Sequence, residues 1–323
     1  MAQEFTRRAW LGGAATAAAV ASGTGRSWAS APPTGTQAPA WYRFRLGDFE
    51  GTVVSDGPLA LGPPADAFKG APKEQIEADL RASFLPTDAV VLEQNVLVLN
   101  TGRQLLLFDT GMGTSKLFGP TTGRLLGNLR TAGIDPAGID AVIVTHAHSD
   151  HCFGLTGEGG APSFPNAKIH LAQADFDFWT DEAKLGTPLR DFVEPTRKTL
   201  IPLRDRIGWV QAGQEVVPGV TAVATPGHTV GHTSYVLSSG RETMMFTGDI
   251  AHHEVLLLKR PRMEFVYDTD PALAVQSRLR VLDMVATDRM PIVSYHFPFP
   301  GIGHVAKSGD GFAWYPAPAK TLL

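Results

Sequence analysis

The stretch that most constrains this chain is His146-Ala147-His148-Ser149-Asp150-His151, three imidazoles and a carboxylate within six residues. So short a segment cannot fold away from itself, and any structure built around it must bring these side chains to one place. Imidazole nitrogen and carboxylate oxygen are the donors that borderline divalent metals such as zinc accept, and the two-residue step from His146 to His148 lets both rings lean toward one point. One ion cannot readily take all four groups. With further candidates downstream, the economical reading is two ions a few ångströms apart sharing a water-derived hydroxide. The bland alternative is a histidine-rich surface turn. Its context argues against that: Ile139 to Thr145 is a largely β-branched apolar run after a Pro-Ala-Gly turn, the pattern of a buried strand. The histidines then sit on a loop leaving a strand, where open α/β sheets place their chemistry.

The 323 residues are 43% hydrophobic and 19% charged, enough for a full-sized core and incompatible with disorder as the main state. The one cysteine, Cys152, excludes an internal disulfide framework and leaves nitrogen and oxygen as the metal donors. It reads as a small buried residue beside the site. Residues 1–31 are set apart from the domain. Paired Arg7 and Arg8 precede an Ala/Gly/Val run, and Ala29-Ser30-Ala31 offers small-residue cleavage, which resembles a bacterial twin-arginine export signal. The uncharged stretch from Arg8 to Arg26 is short and poorly apolar for a span of about 30 Å, so no membrane span is expected in the mature form. Removing the segment moves the formal charge from −4 to −6, a mildly acidic balance that disfavours nucleic acid as a partner. The expected location is the periplasm or the exterior.

Residues 32–40 read as a flexible lead-in, and 41–323 as a single catalytic domain. Alternation predicts paired strands over Trp41 to Val54 and a hairpin of Ala89 to Asn100 with Gln104 to Phe108. Helical spacing of apolar residues covers Thr121 to Thr131, Ala272 to Ala286 and, less cleanly, Ala172 to Ala183. Three more donors follow strand-like runs. His228 stands in the turn after Val220 to Ala224, Asp249 follows Met244 to Gly248, and His296 follows Ile292 to Tyr295. Each alone reads as a capped or hydrogen-bonded turn residue; beside the first cluster, they complete a dinuclear set in which Asp249 can bridge.

This ordered pattern of an HxHxDH loop, a later His, an Asp and a final His resembles the metallo-β-lactamase superfamily. The resemblance implies an α/β fold, a four-layer αβ/βα sandwich of two mixed sheets with helices on both outer sides. It assigns His146, His148 and His228 to one metal, Asp150, His151 and His296 to the other, and Asp249 to both. It also implies a supporting role behind the metal loops for Asp109, in Leu105 to Gly113. From Trp41 onward the chain is similar to methyl parathion hydrolase and its lactone-hydrolysing relatives, through LGDFE at Leu46, LFGPTTGRL at Leu117, GHTVGHTSYV at Gly227 and FPGIGH at Phe299. That subgroup implies an aromatic substrate pocket at Phe118, Trp179 and Phe192, and a homodimer. Ser149, Cys152-Phe153 and the segment Ile250-Ala251-His252-His253 depart from the organophosphate hydrolase beside the metals, which bears on substrate more than on chemistry.

His252 and His253 read either as solvated or capping residues, or as partners of Asp249 and donors to a developing oxyanion. His232 and His304 read as structural. The expected activity is hydrolysis of a lactone or aryl ester by attack of a metal-bridging hydroxide, with Asp150 orienting its proton and Asp249 holding both ions. The metals are expected to be two divalent ions, zinc first, with manganese, iron or cobalt also accepted by such donors. Phosphotriester hydrolysis is the runner-up. A non-catalytic metal-binding protein of the same fold is the reading of a different class.

Overall fold

The alternation at the start of the domain does become a pair of strands, Trp41–Leu46 and Phe49–Ser55, antiparallel across Gly47-Asp48. The structure, a computed structural model, describes Pro33, Gly35 and residues 37–323. The expected export signal, residues 1–31, lies outside the described residues, as does part of the lead-in.

Two seven-stranded sheets form, and each takes its strands in chain order. The first runs Trp41–Leu46, Phe49–Ser55, Asn95–Asn100, Leu105–Phe108, Ala141–Ile143, Lys168–Ala172 and Ile207–Val210. Its first four strands are antiparallel; from Leu105–Phe108 onward the pairing is parallel. The second runs Glu215–Val217, Val220–Ala224, Thr233–Ser239, Glu242–Phe246, Ile292–Val293, Ile302–Ser308 and Gly311–Pro316, with one parallel pair, Glu242–Phe246 beside Ile292–Val293. Parallel neighbours need a crossover. Helices supply several of them: Leu125–Thr131, then Gln173–Thr180 with Arg190–Leu200, and Pro271–Thr287 in the second half.

Phe108 of the first sheet meets Tyr235 and Phe246 of the second, with ring centroids 5.8 and 5.3 Å apart. All three are fully buried. The helices Leu125–Thr131 and Gln173–Thr180 lie against the first sheet, and Pro271–Thr287 lies against the second. This is the αβ/βα sandwich. Each such ring is worth roughly 1.5–3 kcal/mol on burial, so the inter-sheet core carries stability and leaves the strand-end loops free to meet other demands.

Two sequence expectations are corrected in detail. Ala89 to Asn100 is not one strand: Val90–Leu92 pairs with Leu59–Gly62 in a separate small sheet, and only Asn95–Asn100 enters the large one. The chain breaks there because two amides turn inward. Gln94 Nε2 donates to the Gly57 carbonyl at 2.6 Å, and Asn95 Nδ2 donates to the carbonyls of Ser294 and Phe297 at 3.1 and 2.7 Å. The helix expected from Thr121 starts at Leu125 instead, because the buried Asp56 carboxylate accepts the N–H groups of Gly123 and Leu125 at 2.9 and 2.8 Å and holds the preceding residues as a loop. Helices Lys73–Ala82 and Arg190–Leu200, the latter with Pro195 inside it, go beyond what the spacing indicated. Among the described residues no helix is long and apolar enough to cross a membrane.

Candidate metal centre

Five strand ends converge at one edge of the sandwich. Leu105–Phe108 delivers Asp109, Ala141–Ile143 delivers Thr145 and His146, Val220–Ala224 leads to His228, Glu242–Phe246 to Asp249, and Ile292–Val293 to His296. His148 is the N-cap of the single helical turn Ser149–Cys152, which turns Asp150 and His151 back toward the same point. Two glycines are required by close approach. A Cβ on Gly227, at φ +130°, would lie 2.1 Å from the Ala274 nitrogen, and one on Gly248, at φ +54°, would lie 2.8 Å from His232 Nε2. Each stands immediately before a donor, His228 and Asp249, so the turn that aims the donor depends on it.

Asp249 Oδ2 is the hub. The Nε2 atoms of His151, His228 and His296 each lie 3.2 Å from it, that of His252 lies 3.1 Å away and that of His146 lies 3.7 Å away. Asp150 Oδ2 lies 3.4 Å from both His151 Nε2 and His296 Nε2. Four donor triads have ligand atoms mutually within 4.8 Å: His146, His148 and His228; His146, His151 and Asp249; Asp150, His151 and His296; His228, Asp249 and His252. The seven donors expected from sequence thus meet in one buried cluster, and His252 joins them.

The far side of three rings is held by an acceptor. His151 Nδ1 donates to Asp109 at 2.9 Å, His228 Nδ1 to Asp268 at 2.8 Å, and His296 Nδ1 to the Glu93 carbonyl at 2.8 Å. His146 Nδ1 lies 3.0 Å from Thr145 Oγ1, whose own proton goes to Asp109, 2.9 Å away. A proton fixed on Nδ1 leaves the Nε2 lone pair facing the centre, as a metal ligand requires. Asp109 sits at φ +62°, a left-handed conformation that costs a non-glycine residue about 1–2 kcal/mol. It persists because its carboxylate ties Thr145 to His151.

The residues fit a pair of divalent cations. His146 Nε2 and His228 Nε2 face each other at 3.2 Å, although both rings use Nδ1 elsewhere, an arrangement that asks for a cation between or beside them. Asp249 Oδ1 and His151 Nε2 are buried without a hydrogen-bond partner, and a buried orphan costs about 1–3 kcal/mol. Asp109, Asp150, Asp249 and Asp268 place four carboxylates among imidazoles, the negative charge that two divalent ions offset. Burial and the neighbouring rings of His151 and His228 hold His146 well below the usual imidazole range, so it is a neutral ligand. Burial opposes protonation of His228, but hydrogen bonds to Asp249 and Asp268 lift it to about 9. Burial likewise works against ionised Asp249, and the surrounding imidazoles of His151, His296 and His252 outweigh it, keeping this group a carboxylate.

Two residues missing from the sequence reading as site residues brace the loops. The buried Asp175 accepts the N–H of Ala147 at 2.7 Å, the Thr229 hydroxyl at 2.9 Å and the N–H of Gly231 at 2.6 Å, joining the first histidine loop to the one that carries His228. In sequence it is one more acid on a helix. Asp268 is one acid of Asp268-Thr269-Asp270, indistinguishable from a turn former. His232, read as structural, accepts the Asp249 N–H on Nε2 at 2.9 Å and so positions the bridging residue.

Two expected site residues lie elsewhere. Trp179 does not line the cleft. It is 3% exposed in the main core, with its ring edge-on to His148 at 4.9 Å, because the inner face of Gln173–Thr180 turns it behind that ligand. His253 is also turned away: its Nδ1 accepts the N–H groups of Val255 and Leu256 at 3.1 and 3.4 Å, capping the next turn, and burial pushes its pKa down to about 4. His304 is exposed.

Above the donors opens a cleft whose space between atoms, counting the part continuous with open solvent, is about 400 Å³. Phe118 and Phe192 line it, as the sequence indicated, and so do Leu59, Leu61, Leu92, Phe265 and Tyr267. Its floor is His148, Asp150, His228, Asp249, His252 and His296. No Lys or Arg lines it among the described residues.

A family model described as the Metallo-beta-lactamase superfamily matches residues 89–296, a span that contains Asp109 and all seven expected donors. Among curated proteins, an N-acyl homoserine lactonase of Bacillus sp is 25% identical over 237 residues, covering 68% of this chain and 86% of its own length. Among solved structures, AidC, described as a dizinc quorum-quenching lactonase in complex with a product, is 27% identical; the match covers 86% of this chain and 98% of that one, with a TM-score of 0.81. The hydrolase AbOPH, described as lying in the beta lactamase superfamily, is 30% identical over 88% of this chain and 100% of its own, with a TM-score of 0.82.

Proposed function

The chain belongs to the metallo-beta-lactamase superfamily and is a metallo-hydrolase, and from that premise we propose that it opens uncharged lactones or cleaves aryl esters, with zinc as its metal. The observation that carries this reading is the cleft: apolar and aromatic side chains run down to the donors, and among the described residues no Lys or Arg accompanies them. A charged group of the substrate lying away from the floor would find no Lys or Arg partner on the wall. A neutral ester with an apolar body would bury that body and leave its polar group at the floor.

His146, His148 and His228 would hold one cation, Asp150, His151 and His296 the other, with Asp249 between them. When bound, such a pair supplies Lewis acidity toward an ester oxygen and lowers the pKa of a shared water from about 15.7 toward 7. Asp150 lies at the cleft floor and can accept and orient a water proton. Asp109 and Asp268 keep His151 and His228 in the required tautomer. His252 differs from these rings because its Nδ1 is buried with no partner among the described residues, which puts the proton on Nε2, where it meets Asp249 Oδ2 at 3.1 Å. It is the imidazole suited to hold the Asp249 carboxylate in place. The attached export signal would send the protein out in a folded, metal-loaded state; cell fractionation with and without Arg7 and Arg8 tests this.

The experiment is a hydrolysis panel on metal-loaded protein: dihydrocoumarin, an acyl homoserine lactone, a 4-nitrophenyl ester, methyl parathion and a chromogenic cephalosporin. Lactone or aryl ester should rank first. Methyl parathion is the second reading, since a phosphotriester is also uncharged and the same cleft can take it. Preference for the anionic cephalosporin, or two bound metals with no turnover of any ester, contradicts the proposal.

A further inference from the structure

Tyr267 occupies a place in the cleft that the metal chemistry leaves unexplained. It projects from the loop after the short strand Glu264–Phe265, and its ring joins the two aromatic walls, edge-on to Phe118 at 5.9 Å and to Phe192 at 6.2 Å, while also meeting Phe265 at 5.4 Å. Packing alone would be served by phenylalanine, as at the three neighbours. The hydroxyl is therefore the unexplained atom. Among the described residues it has no hydrogen-bond partner, and half-burial first, then the charge of Asp150, push its pKa upward. Ser149 is the other hydroxyl that lines the cleft, but it stands on the floor between His148 and Asp150.

An ester presents two oxygens. The carbonyl oxygen would face the floor, where bound cations would supply Lewis acidity to it. The remaining oxygen, the one that leaves, would then face the wall that Tyr267 lines. Resting on the hydrolase reading above, we infer that the Tyr267 hydroxyl is a catalytic hydrogen-bond donor to the leaving oxygen of the substrate, which suits the site to lactones and alkyl esters with poor leaving groups. The acyl C–O bond breaks while the attacking water contributes its oxygen to the acid product; its remaining proton ends on the departing alkoxide. Tyrosine keeps its own proton throughout, consistent with a phenol made harder to ionise, and stabilises charge only while that oxygen carries it.

The test compares Tyr267→Phe with the parent enzyme on an alkyl δ-lactone and on a 4-nitrophenyl ester, with bound metal and thermal midpoint measured for both proteins. The expected result is a loss in kcat/KM of about tenfold to a hundredfold on the lactone, the worth of a hydrogen bond to a developing charge. The 4-nitrophenyl ester, whose leaving group needs no help, should change little, and metal content and stability should not move. Equal losses on both substrates, or none on either, overturn the inference. Should the parent cleave neither substrate, the hydrolase reading fails by itself. Affinity for the ring-opened hydroxy acid, whose alcohol oxygen is the former leaving oxygen, still decides the role of Tyr267. Weaker binding by Tyr267→Phe supports the contact and unchanged binding refutes it.

Discussion

The floor and the wall of one cleft are encoded in different ways. The floor is built from donors that need a particular atom at a particular point, and the chain meets that demand with short loops behind strand ends, each fixed by a glycine or a buried acceptor. The wall needs only apolar area of the right shape. It is assembled from a two-stranded ribbon at Leu59 and Leu92, a loop at Phe118, a helix at Phe192, the short strand ending at Phe265 and the loop that follows it at Tyr267. Floor chemistry is local and exacting, whereas wall chemistry is distributed and replaceable. Substitutions in the two regions should therefore fail in different ways.

The largest effect is expected at the hub. Asp249→Ala removes the oxygen on which four imidazole nitrogens converge within 3.2 Å, so both metals and all hydrolysis should be lost together, as elemental analysis and assay of the same sample will read. Next comes Asp109→Ala, which frees the Nδ1–H of His151; metal affinity should fall about 10- to 100-fold, measured by chelator competition.

Acidity acts on the floor with a definite sign. In the metal-free protein His228 is lifted to about 9, and its Nε2 must lose that proton before it can bind a cation. Metal affinity should thus rise from neutral pH toward pH 9, by about tenfold per unit for each proton displaced. Affinity that is flat over this range would contradict a protonated His228. The wall should answer differently. Phe192→Ala ought to raise KM for an aromatic substrate by about tenfold, near 1.4 kcal/mol, with metal content untouched. A metal loss in that variant would erase the distinction between the two regions.

Trp179 crosses the division, and its effect should be the smallest. Among the described residues no hydrogen-bond partner anchors the His148 ring in the way Asp109 and Asp268 anchor its neighbours, and the indole edge at 4.9 Å packs against it together with the rings of His146 and His228. Trp179→Phe should weaken metal binding a few-fold and alter the visible spectrum of the cobalt-substituted protein, while leaving the KM of small esters unchanged. An altered KM with an unaltered spectrum would return Trp179 to the wall.

The same division explains what could be read from sequence. His146, His148, Asp150 and His151 are legible because a six-residue spacing fixes their proximity before any folding is known. His228, Asp249 and His296 follow because each stands at the end of a strand-like run with a turn beside it. The supports are opaque for physical reasons. Glu93 contributes a backbone carbonyl, which every residue has, and Asp175 and Asp268 look like ordinary helix and turn acids until the loops they join are placed together. Trp179 and His253 face away from the cleft, and chain position alone does not reveal which way a side chain faces across a helix or turn. The two-sheet sandwich was within reach of the motif order, whereas the break at Glu93-Gln94 depended on amides bonding to partners as far away as Ser294 and Phe297.

The most direct measurement is metal-edge anomalous diffraction from crystals of the zinc-loaded protein. The expected result is two full peaks, one among His146, His148 and His228, the other among Asp150, His151 and His296, with Asp249 touching both. A single peak, or zinc bound away from these seven side chains, would contradict the account.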